Sequence, residues 1–200
     1  MNMNEYFKIC VCYHRPAFLF DENYIVPMWA GKDVANTISK EGFALSEKQK
    51  EWMEKHCAGD NTGDNISNEN RKYSEITVLY WVWKNYEKIG NPKYIGFMQY
   101  RRHFLLKENG LPGMYPDNRN QIYIEDIPEN YAEMIGMTSK NVNNILHDFD
   151  GIAAVNDTKQ SIRFYNENHF SQDVKYYNKT LEIIDKYQPE ISGAAHQYEK

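Results

Sequence analysis

Short apolar runs alternate with amphipathic stretches along the chain. The runs at 7–13, 24–29 and 94–98 have the length and composition of buried strands, and "FDGIAAV" at 149–155 predicts a further strand. Stretches with helical spacing lie between these runs and after them. Strands that alternate with helices predict an α/β layered fold, with helices flanking a mostly parallel central sheet.

Several stretches predict helices. "ALSEKQKEWMEKH" at 44–56 is typical of a surface helix, with Ser46 as its cap and with Trp52 and Met53 turned inward. Another helix is expected near Ser139 to His147, and a short helix followed by a longer one is expected within 157–190.

The stretch at 73–87 predicts the central helix of the domain. One of its faces is apolar at helical spacing, and this face is formed by Ile76, Leu79, Tyr80 and Trp83. Much of the remaining surface is covered by Val78, Trp81 and Val82. A helix that is apolar nearly all round is expected in the middle of a domain.

Glu75 is the polar exception on this helix. A carboxylate in an apolar stripe needs a partner, most simply an arginine, or its pKa must shift. A structural Glu–Arg pair and a catalytic base both fit the position.

Two other stretches predict irregular structure. Residues 101–130 are punctuated by glycine and proline, and a loop of this length is typically functional or mobile. The tail at 189–200 is short and terminal, so we expect it to be poorly ordered.

Composition limits the class of protein. The 200 residues are 42% hydrophobic, which suffices for one core, and we expect a single domain over residues 1–200. The sequence has no apolar run long enough to span a membrane and no signal-peptide pattern, and an odd count of three cysteines fits reduced thiols in the cytoplasm. The net charge of −5 argues against a nucleic-acid partner. Local arginines could still hold a small anion.

Candidate chemistry lies where two of the predicted strands end. His14 and Arg15 follow the first strand, and Gln99 to His103 follow "YIGFM". Ligands of open α/β sheets bind beyond the carboxyl ends of strands, so these groups converge if the strands are parallel neighbours. Arginines there would suit a diphosphate. In extended backbone Arg101 and Arg102 point to opposite faces, so we expect one to reach a ligand and the other to brace the fold. A surface arginine pair is the alternative.

The polar loop before the central helix has two interpretations. Its residues include Asp60, Asp64 and Asn65 beside flexible glycines, and Ser67 to Asn70 can cap the helix that follows. Composition alone favours a turn and cap over a binding loop. The sequence has no GxGxxG, Walker, HExxH or paired CxxC motif, and we assign no metal ligands.

Four motifs together resemble a known family. They are "YHRP", "DNTGDNISNEN", "YSEITVLYWVWKN" and "YIGFMQYRRHF", in this order and spacing. The chain resembles, from residue 7 to about residue 190, the bacterial capsular and exopolysaccharide biosynthesis proteins, formerly described as a domain of unknown function and identified as glycosyltransferases. The resemblance implies a GT-A-like, Rossmann-related fold.

The resemblance also implies partners. They are a nucleotide-sugar donor, with a UDP-sugar favoured, and a glycan or lipid-linked acceptor, with peripheral association with membrane-bound synthesis machinery. It leaves Mn²⁺ or Mg²⁺ as the candidate cofactor. No nucleic acid is expected.

Site residues follow from the same resemblance. The implied catalytic residues are Glu75, Arg101 and Arg102. His14, Asp64, Asn65 and Tyr100 also occupy motif positions, and we expect the substrate-binding residues to be these four together with Arg15, Asp60, Thr62, Gly63, Ser67 and Gln99. We expect His14 and the 60–67 loop to contact the nucleotide, and Arg101 or Arg102 to neutralise the leaving diphosphate with Glu75 orienting that arginine.

Two departures from the family pattern keep other functions open. Gln99 stands where the family has a histidine, and an amide cannot act as an acid or base near neutral pH. The chain also ends at "GAAHQYEK", where the family domain continues into another aromatic-rich segment. The alternatives are a noncatalytic nucleotide-sugar or glycan-binding module and an assembly subunit of a polysaccharide-synthesis complex.

Overall fold

A computed structural model describes residues 6–38, 42, 44–107, 110–117, 121–152 and 173–197. Their contacts divide the chain into two compact units. The first unit is Met1–Tyr115 with Ile122–Ala154, and the second is Pro116–Gln121 with Val155–Lys200. That residues 1–200 form a single domain stays a prediction.

The first unit is built on a parallel sheet of four strands. Its order is β3-β2-β1-β4. The strands are β1 (Phe7–Tyr13), β2 (Ile25–Trp29), β3 (Ala58–Gly59) and β4 (Tyr94–Gln99). The predicted α/β fold with a parallel central sheet is confirmed, and the three strand predictions at 7–13, 24–29 and 94–98 are correct to within one residue at each end. The two-residue β3 is too short to leave a pattern in the sequence.

Helices flank the sheet and follow it. They are α1 (Glu47–His56), α2 (Asn70–Tyr73), α3 (Ile76–Lys84), α4 (Tyr131–Ile135), α5 (Ser139–Asp148), α6 (Asp173–Tyr187) and α7 (Pro189–Gln197). Short 3₁₀ turns span Lys32–Val34, Ser67–Glu69 and Tyr86–Ile89. Ser46 caps α1 as predicted, because its hydroxyl accepts from the amide of Gln49 while the Gln49 side chain accepts from the amide of Ser46. None of the described helices is long and apolar enough to cross a membrane.

The two faces of the sheet carry separate cores. Ile9, Val11 and Tyr13 of β1 pack in a cluster that includes Met53 of α1 and Val142 of α5. The alternate residues Cys10 and Cys12 pack with Val78, Trp81 and Val82 of α3. Burial raises the pKa of the Cys10 thiol to about 12, so it remains protonated and serves as core filling. The fold is therefore layered, with α1, α4 and α5 on one face of the sheet and α3 on the other.

The helix predicted at 73–87 is shorter than expected and is buried on one face only. Ser74 ends α2, and α3 begins at Ile76; the buried residues of α3 are Thr77, Val78, Trp81 and Val82. The other face, which was also expected to be buried, is open, since Ile76 is 55% exposed, Leu79 38% and Trp83 68%. Apolar residues occupy both faces, so periodicity could not identify the one that contacts the sheet.

Other differences concern the C-terminal third. The tail expected to be poorly ordered forms α7 over Pro189–Gln197, so that prediction is wrong. The described part of the predicted strand at 149–155, residues 149–152, is not a strand, and the rest lies outside the described residues. The short helix expected after residue 157 also lies outside them, whereas the longer helix is α6. The helix predicted near Ser139 to His147 is confirmed as α5.

Candidate active site

A cleft opens at the carboxyl ends of β1, β2 and β4. It has a volume of about 390 Å³. Its described lining residues are His14, Arg15, Trp29, Ala30, Gly31, Val34, Ala35, Thr37, Ala44, Leu45, Gln49, Asn70, Arg71, Ser74, Glu75 and Arg101. Three arginines and one carboxylate make its wall cationic within a chain of net charge −5.

Parallel pairing of β1 with β4 brings the two predicted strand ends together. Cys12 lies opposite Gln99, and the amide of Tyr100 donates to the carbonyl of Cys12 at 3.0 Å, which extends the pairing by one residue. His14 and Arg15 therefore emerge beside Tyr100 and Arg101. The convergence predicted from the sequence is observed for these four residues.

Tyr100 organises the cationic groups around it. Its buried hydroxyl accepts from Nε of Arg15 at 2.9 Å and lies 3.4 Å from Nε2 of His14. The guanidinium carbons of Arg15 and Arg101 lie 5.6 and 5.7 Å from the centre of its ring. Cation–π contacts of this kind hold an arginine in place without neutralising its charge.

Among the described residues, no carboxylate forms an ion pair with either of these two arginines. Both side chains are exposed, and Arg101 makes neither a hydrogen bond nor an ion pair within the part of the chain that the structure describes. Arg15 donates there to Tyr100 alone. Their remaining N–H groups are therefore available to an anion in the cleft.

Arg102 lies outside this arrangement. A tight turn follows β4, in which the amide of Arg102 donates to the carbonyl of Gln99 at 3.1 Å. The side chain of Arg102 is exposed and is not among the residues that line the cleft. One arginine of the pair thus faces the cleft, as expected. Within the described residues Arg102 makes no side-chain contact that would brace the fold, as had been expected of it.

Glu75 faces Gln99 rather than an arginine. Glu75 is the residue that precedes α3, and its Oε1 accepts from Nε2 of Gln99 at 2.6 Å. The amide at the end of β4 thereby fixes the carboxylate at the rim of the cleft. Among the described residues, the arginine partner expected from the sequence is replaced by this amide.

Ser74 is held in an unfavourable backbone conformation next to Glu75. Its φ of 51° and ψ of −131° lie in a region that residues with a Cβ rarely adopt. The carbonyl of Ser74 accepts from the side chain of Asn70 at 2.8 Å and from the backbone amide of Thr77 at 3.2 Å. These contacts hold the break between α2 and α3, and the break turns Glu75 toward the cleft.

Sequence reasoning missed part of the cleft wall. Arg71 donates to the carbonyls of Val34 at 3.1 Å and Thr37 at 2.8 Å, and so fixes the segment after β2. The rule that selects strand ends, applied also to β2, would have found Trp29 and Gly31. Arg71 left no such signal, because its partners lie more than thirty positions earlier in the sequence.

The structure does not bring Asp60 and Ser67 to the cleft. The carboxylate of Asp60 is fully buried and accepts from the amides of Gly31 and Lys32 at 2.8 and 3.1 Å. It also accepts from the hydroxyls of Ser67 and Thr77. Three of these hydrogen bonds tie the loop to the end of β2 and the start of α3, and the fourth joins two residues of the loop, so the geometry gives Asp60 and Ser67 a structural role.

The rest of the polar loop packs along α3, away from the cleft. The carbonyl of Thr62 accepts from Nε1 of Trp81 at 2.6 Å, and Oδ1 of Asp64 accepts from the hydroxyl of Tyr80 at 3.0 Å. Gly63 has a φ of 65°, and a Cβ there would lie 2.0 Å from the side chain of Asn85. Asn65 closes a turn onto the carbonyl of Gly63 at 3.0 Å. These contacts are those of a turn packed on a helix, so they agree with the turn interpretation of this loop.

The described residues do not form a site for Mn²⁺ or Mg²⁺. No three His, Cys, Asp or Glu side chains among them come close enough to hold a metal ion. Glu75 is the one carboxylate among the described lining residues, and Gln99 occupies one of its oxygens. Both ions prefer several oxygen ligands, so this donor set does not fit them.

Comparisons with known proteins give the family and a similar fold. The chain matches the profile of the domain of unknown function DUF4422 over residues 8–200. No curated protein matches it. Its fold is similar to the solved apo structure of the WbbM bifunctional glycosyltransferase, with a TM-score of 0.66 and 24% identity over 96% of this chain. The match spans 31% of the WbbM chain. Since the family profile covers nearly the whole sequence, this chain belongs to the DUF4422 family.

Proposed function

We propose that this chain is a glycosyltransferase that takes a sugar from a nucleotide-diphosphate donor. The observation that carries the proposal is the pair of arginines, Arg15 and Arg101, held around Tyr100 at the carboxyl edge of a parallel sheet, where neither has a carboxylate partner within the described ranges. This edge is where open α/β sheets bind nucleotides. The likeness of the fold to a glycosyltransferase supports the same function.

The arginines bind the diphosphate and stabilise it as it leaves. When the bond between the anomeric carbon and the diphosphate oxygen breaks, the nucleoside diphosphate departs with the electron pair and its negative charge grows. Guanidinium groups fixed beforehand beside that oxygen stabilise this charge. His14, 3.4 Å from the Tyr100 hydroxyl, lines the same wall and contacts the diphosphate from the end of β1.

Glu75 serves the acceptor. As a bond forms between the acceptor oxygen and the anomeric carbon, the proton of the acceptor hydroxyl passes to the Glu75 carboxylate. Gln99 donates to one carboxylate oxygen, at 2.6 Å, and leaves the other for that proton. Gln99 thus positions the base, and its lack of an ionisable group is compatible with activity.

A metal is not needed to balance the charge of the donor in this arrangement. Because the described side chains do not fit Mn²⁺ or Mg²⁺, the arginines alone are assigned to the diphosphate, and no step is routed through a metal. Turnover measured with a chelator, and with each added ion, tests this assignment. Loss of turnover with the chelator, restored by one ion, would contradict it.

The finer features of the proposal come from the motifs. We infer a UDP-sugar donor and a glycan or lipid-linked acceptor in capsular or exopolysaccharide synthesis. The reaction takes place in the cytoplasm, with peripheral association with the membrane-bound synthesis machinery.

A noncatalytic nucleotide-sugar-binding module is the second candidate. It is favoured by Gln99, because this amide stands where the family motif has a histidine and cannot act as an acid or base. Such a module uses the same arginines to hold the donor, but it neither transfers nor hydrolyses the sugar.

Donor binding and turnover, measured separately, distinguish the two candidates. Calorimetry against UDP-, GDP-, CMP- and dTDP-sugars identifies the donor. Arg101→Ala should weaken its binding roughly tenfold to a hundredfold, because a charge-assisted contact contributes about 1.5–3 kcal/mol. Arg102→Ala is the matched control, since the exposed side chain of Arg102 is not among the residues that line the cleft, and it should change binding by less than about threefold.

Glu75→Gln completes the test. It should leave donor binding within about threefold and lower turnover by about a hundredfold or more, because it removes a proton acceptor while preserving the shape of the side chain. Donor binding without turnover in the unmodified chain would favour the binding module. Equal donor affinity in Arg101→Ala and the unmodified chain would refute both candidates.

A further inference from the structure

Arg71 of α2 holds a segment that forms one side of the cleft. This is the 34–37 segment, of which Val34, Ala35 and Thr37 line the cleft. Nη2 of Arg71 donates to the carbonyls of Val34 and Thr37 at 3.1 and 2.8 Å, and to the hydroxyl of Thr37 at 2.7 Å. Nε donates to the same hydroxyl at 3.2 Å. One guanidinium thus binds three acceptors of a segment that lies more than thirty positions earlier in the sequence.

The residues just before this segment are held by a different part of the chain. In 31–33, three backbone amides donate to the side chains of Asp60 and Ser67. In the 34–37 segment, among the described residues, the hydrogen bonds that come from beyond 31–37 are all donated by Arg71. Loss of the Arg71 guanidinium should therefore release the 34–37 segment and leave 31–33 in place.

The strand order separates the 34–37 segment from the cationic groups of the cleft. β2 and β4 lie on opposite sides of β1. The arginines around Tyr100 follow β1 and β4, whereas the 34–37 segment follows β2. The β2 side of the cleft is also lined by the apolar side chains of Trp29 and Ala30. Apolar walls of this kind suit the uncharged, ring-containing part of a ligand whose charged part is held elsewhere.

We propose that Arg71 is a positioning residue of the donor site, and that it holds the 34–37 segment as the wall that contacts the nucleoside. The proposal rests on the proposed function, in which Arg15 and Arg101 bind the diphosphate. Arg71 acts through the segment, because its Nε and Nη2 groups are engaged with Val34 and Thr37. Without Arg71 the wall is formed for only part of the time, and the affinity for the nucleoside falls by that fraction.

Arg71→Lys removes these contacts and keeps the positive charge. A lysine has no planar fork, so it cannot bind two carbonyls and a hydroxyl in the same way. Calorimetry is carried out with whichever of UDP, GDP and dTDP binds the unmodified chain most tightly. Its affinity should fall about tenfold, as expected if the released segment forms the wall about a tenth of the time. Binding of inorganic pyrophosphate, which has no nucleoside, should be unchanged and shows that the variant is folded.

Two other variants make this result specific. Lys72→Arg is the matched control, because Lys72 is the next residue of α2, is exposed and is not among the residues that line the cleft. It should bind both ligands like the unmodified chain. Arg101→Ala should weaken the nucleoside diphosphate and pyrophosphate alike, because it removes a group assigned to the diphosphate.

Hydrogen exchange tests the hold on the segment without any ligand. The amides of Val34, Ala35 and Thr37 donate to carbonyls within 31–37 at 3.0, 3.2 and 3.0 Å. Local release of the segment opens these hydrogen bonds. The three amides should therefore exchange faster in Arg71→Lys than in the unmodified or Lys72→Arg chains.

Three results would overturn this inference and leave the proposed function intact. They are unchanged exchange at these amides in Arg71→Lys, undiminished affinity of Arg71→Lys for the nucleoside diphosphate, and an equal loss of affinity for pyrophosphate. The last result would make Arg71 a direct ligand of the phosphates. If the unmodified chain binds neither pyrophosphate nor any of the nucleotides, the proposed function itself is refuted, and the role of the wall in binding a nucleoside is refuted with it.

Discussion

The buried loop around Asp60 and the cleft beside Tyr100 use charged side chains in opposite ways. Asp60 is fully buried and accepts four hydrogen bonds, from two backbone amides and two hydroxyls. Arg15 and Arg101 are exposed and have no carboxylate partner among the described residues. A charge that is fully hydrogen-bonded contributes to stability but cannot bind a ligand, whereas a charge held by cation–π contacts keeps its capacity to bind one.

The contrast explains why the motif residues separate in space. The loop from Asp60 to Ser67 and the segment from Gln99 to Arg102 both looked like ligand-binding segments in the sequence. The loop joins the end of β2 to α3, and it thereby fixes the start of the helix that Glu75 precedes. The loop thus positions a residue next to the cleft without entering the cleft itself.

Replacing Asp60 should give the largest effect. Asp60→Ala leaves two amides and two hydroxyls buried without their acceptor, and it should lower the free energy of unfolding by about 3 to 5 kcal/mol. Urea unfolding measures the change. Asp64→Ala is the matched control, because Asp64 lies in the same loop with an exposed carboxylate, and it should cost less than about 1 kcal/mol. Similar losses in both variants would show that Asp60 has no special structural role.

His103 is a buried polar group whose hydrogen-bonding capacity, unlike that of Asp60, is not fully satisfied by the described residues. Its Nδ1 lies 2.9 Å from the hydroxyl of Tyr131, but its buried Nε2 has no partner among the described residues. Burial beside Phe18 and Phe20 lowers the pKa of His103 from 6.5 to about 4. The native state therefore favours the neutral ring, and protonation favours the unfolded state.

Acid should accordingly weaken the fold through His103. The unfolded chain binds the extra proton first, so the contribution of His103 is fully present above pH 6.5 and is lost as the pH falls toward 4. The loss should reach about 3 kcal/mol. His103→Phe keeps a ring in place and removes the titration. Between pH 6.5 and pH 4 the unfolding free energy of the unmodified chain should therefore fall relative to that of His103→Phe. A difference that does not change with pH would contradict the assignment.

Local signals in the sequence predicted the elements and one half of the cleft. The β1 strand and the cap at Ser46 depend only on neighbouring residues, so both could be predicted from the sequence. The convergence of Arg15 and Arg101 could be predicted because a general rule places ligands at the carboxyl ends of parallel strands.

Long-range contacts account for what the sequence did not show. The partners of Asp60 lie at positions 31, 32, 67 and 77, and nothing in the loop's composition identifies them. Periodicity could not orient α3, because it is apolar on both faces and the sheet can bury only one of them. The strain at Ser74 was equally hidden, because serine occurs in ordinary turns and helix caps.

Relieving the backbone strain at Ser74 should change stability least among these substitutions, and it tests directly whether the turn sets the position of Glu75. A φ of 51° with a ψ of −131° costs serine about 1–3 kcal/mol, which glycine avoids at an entropic cost of about 1 kcal/mol. Ser74→Gly should therefore raise the free energy of unfolding by about 1 kcal/mol. The added backbone freedom lies next to Glu75, so turnover should fall several-fold while donor binding through Arg101 is unchanged.

Asn91→Gly is the matched control, since Asn91 is the other non-glycine residue with a positive φ in the described ranges. Its replacement should leave turnover unchanged and should alter the free energy of unfolding by no more than about 0.5 kcal/mol. A Ser74→Gly protein that unfolds more easily, or that keeps full turnover, would show that the strained turn does not set the position of the base.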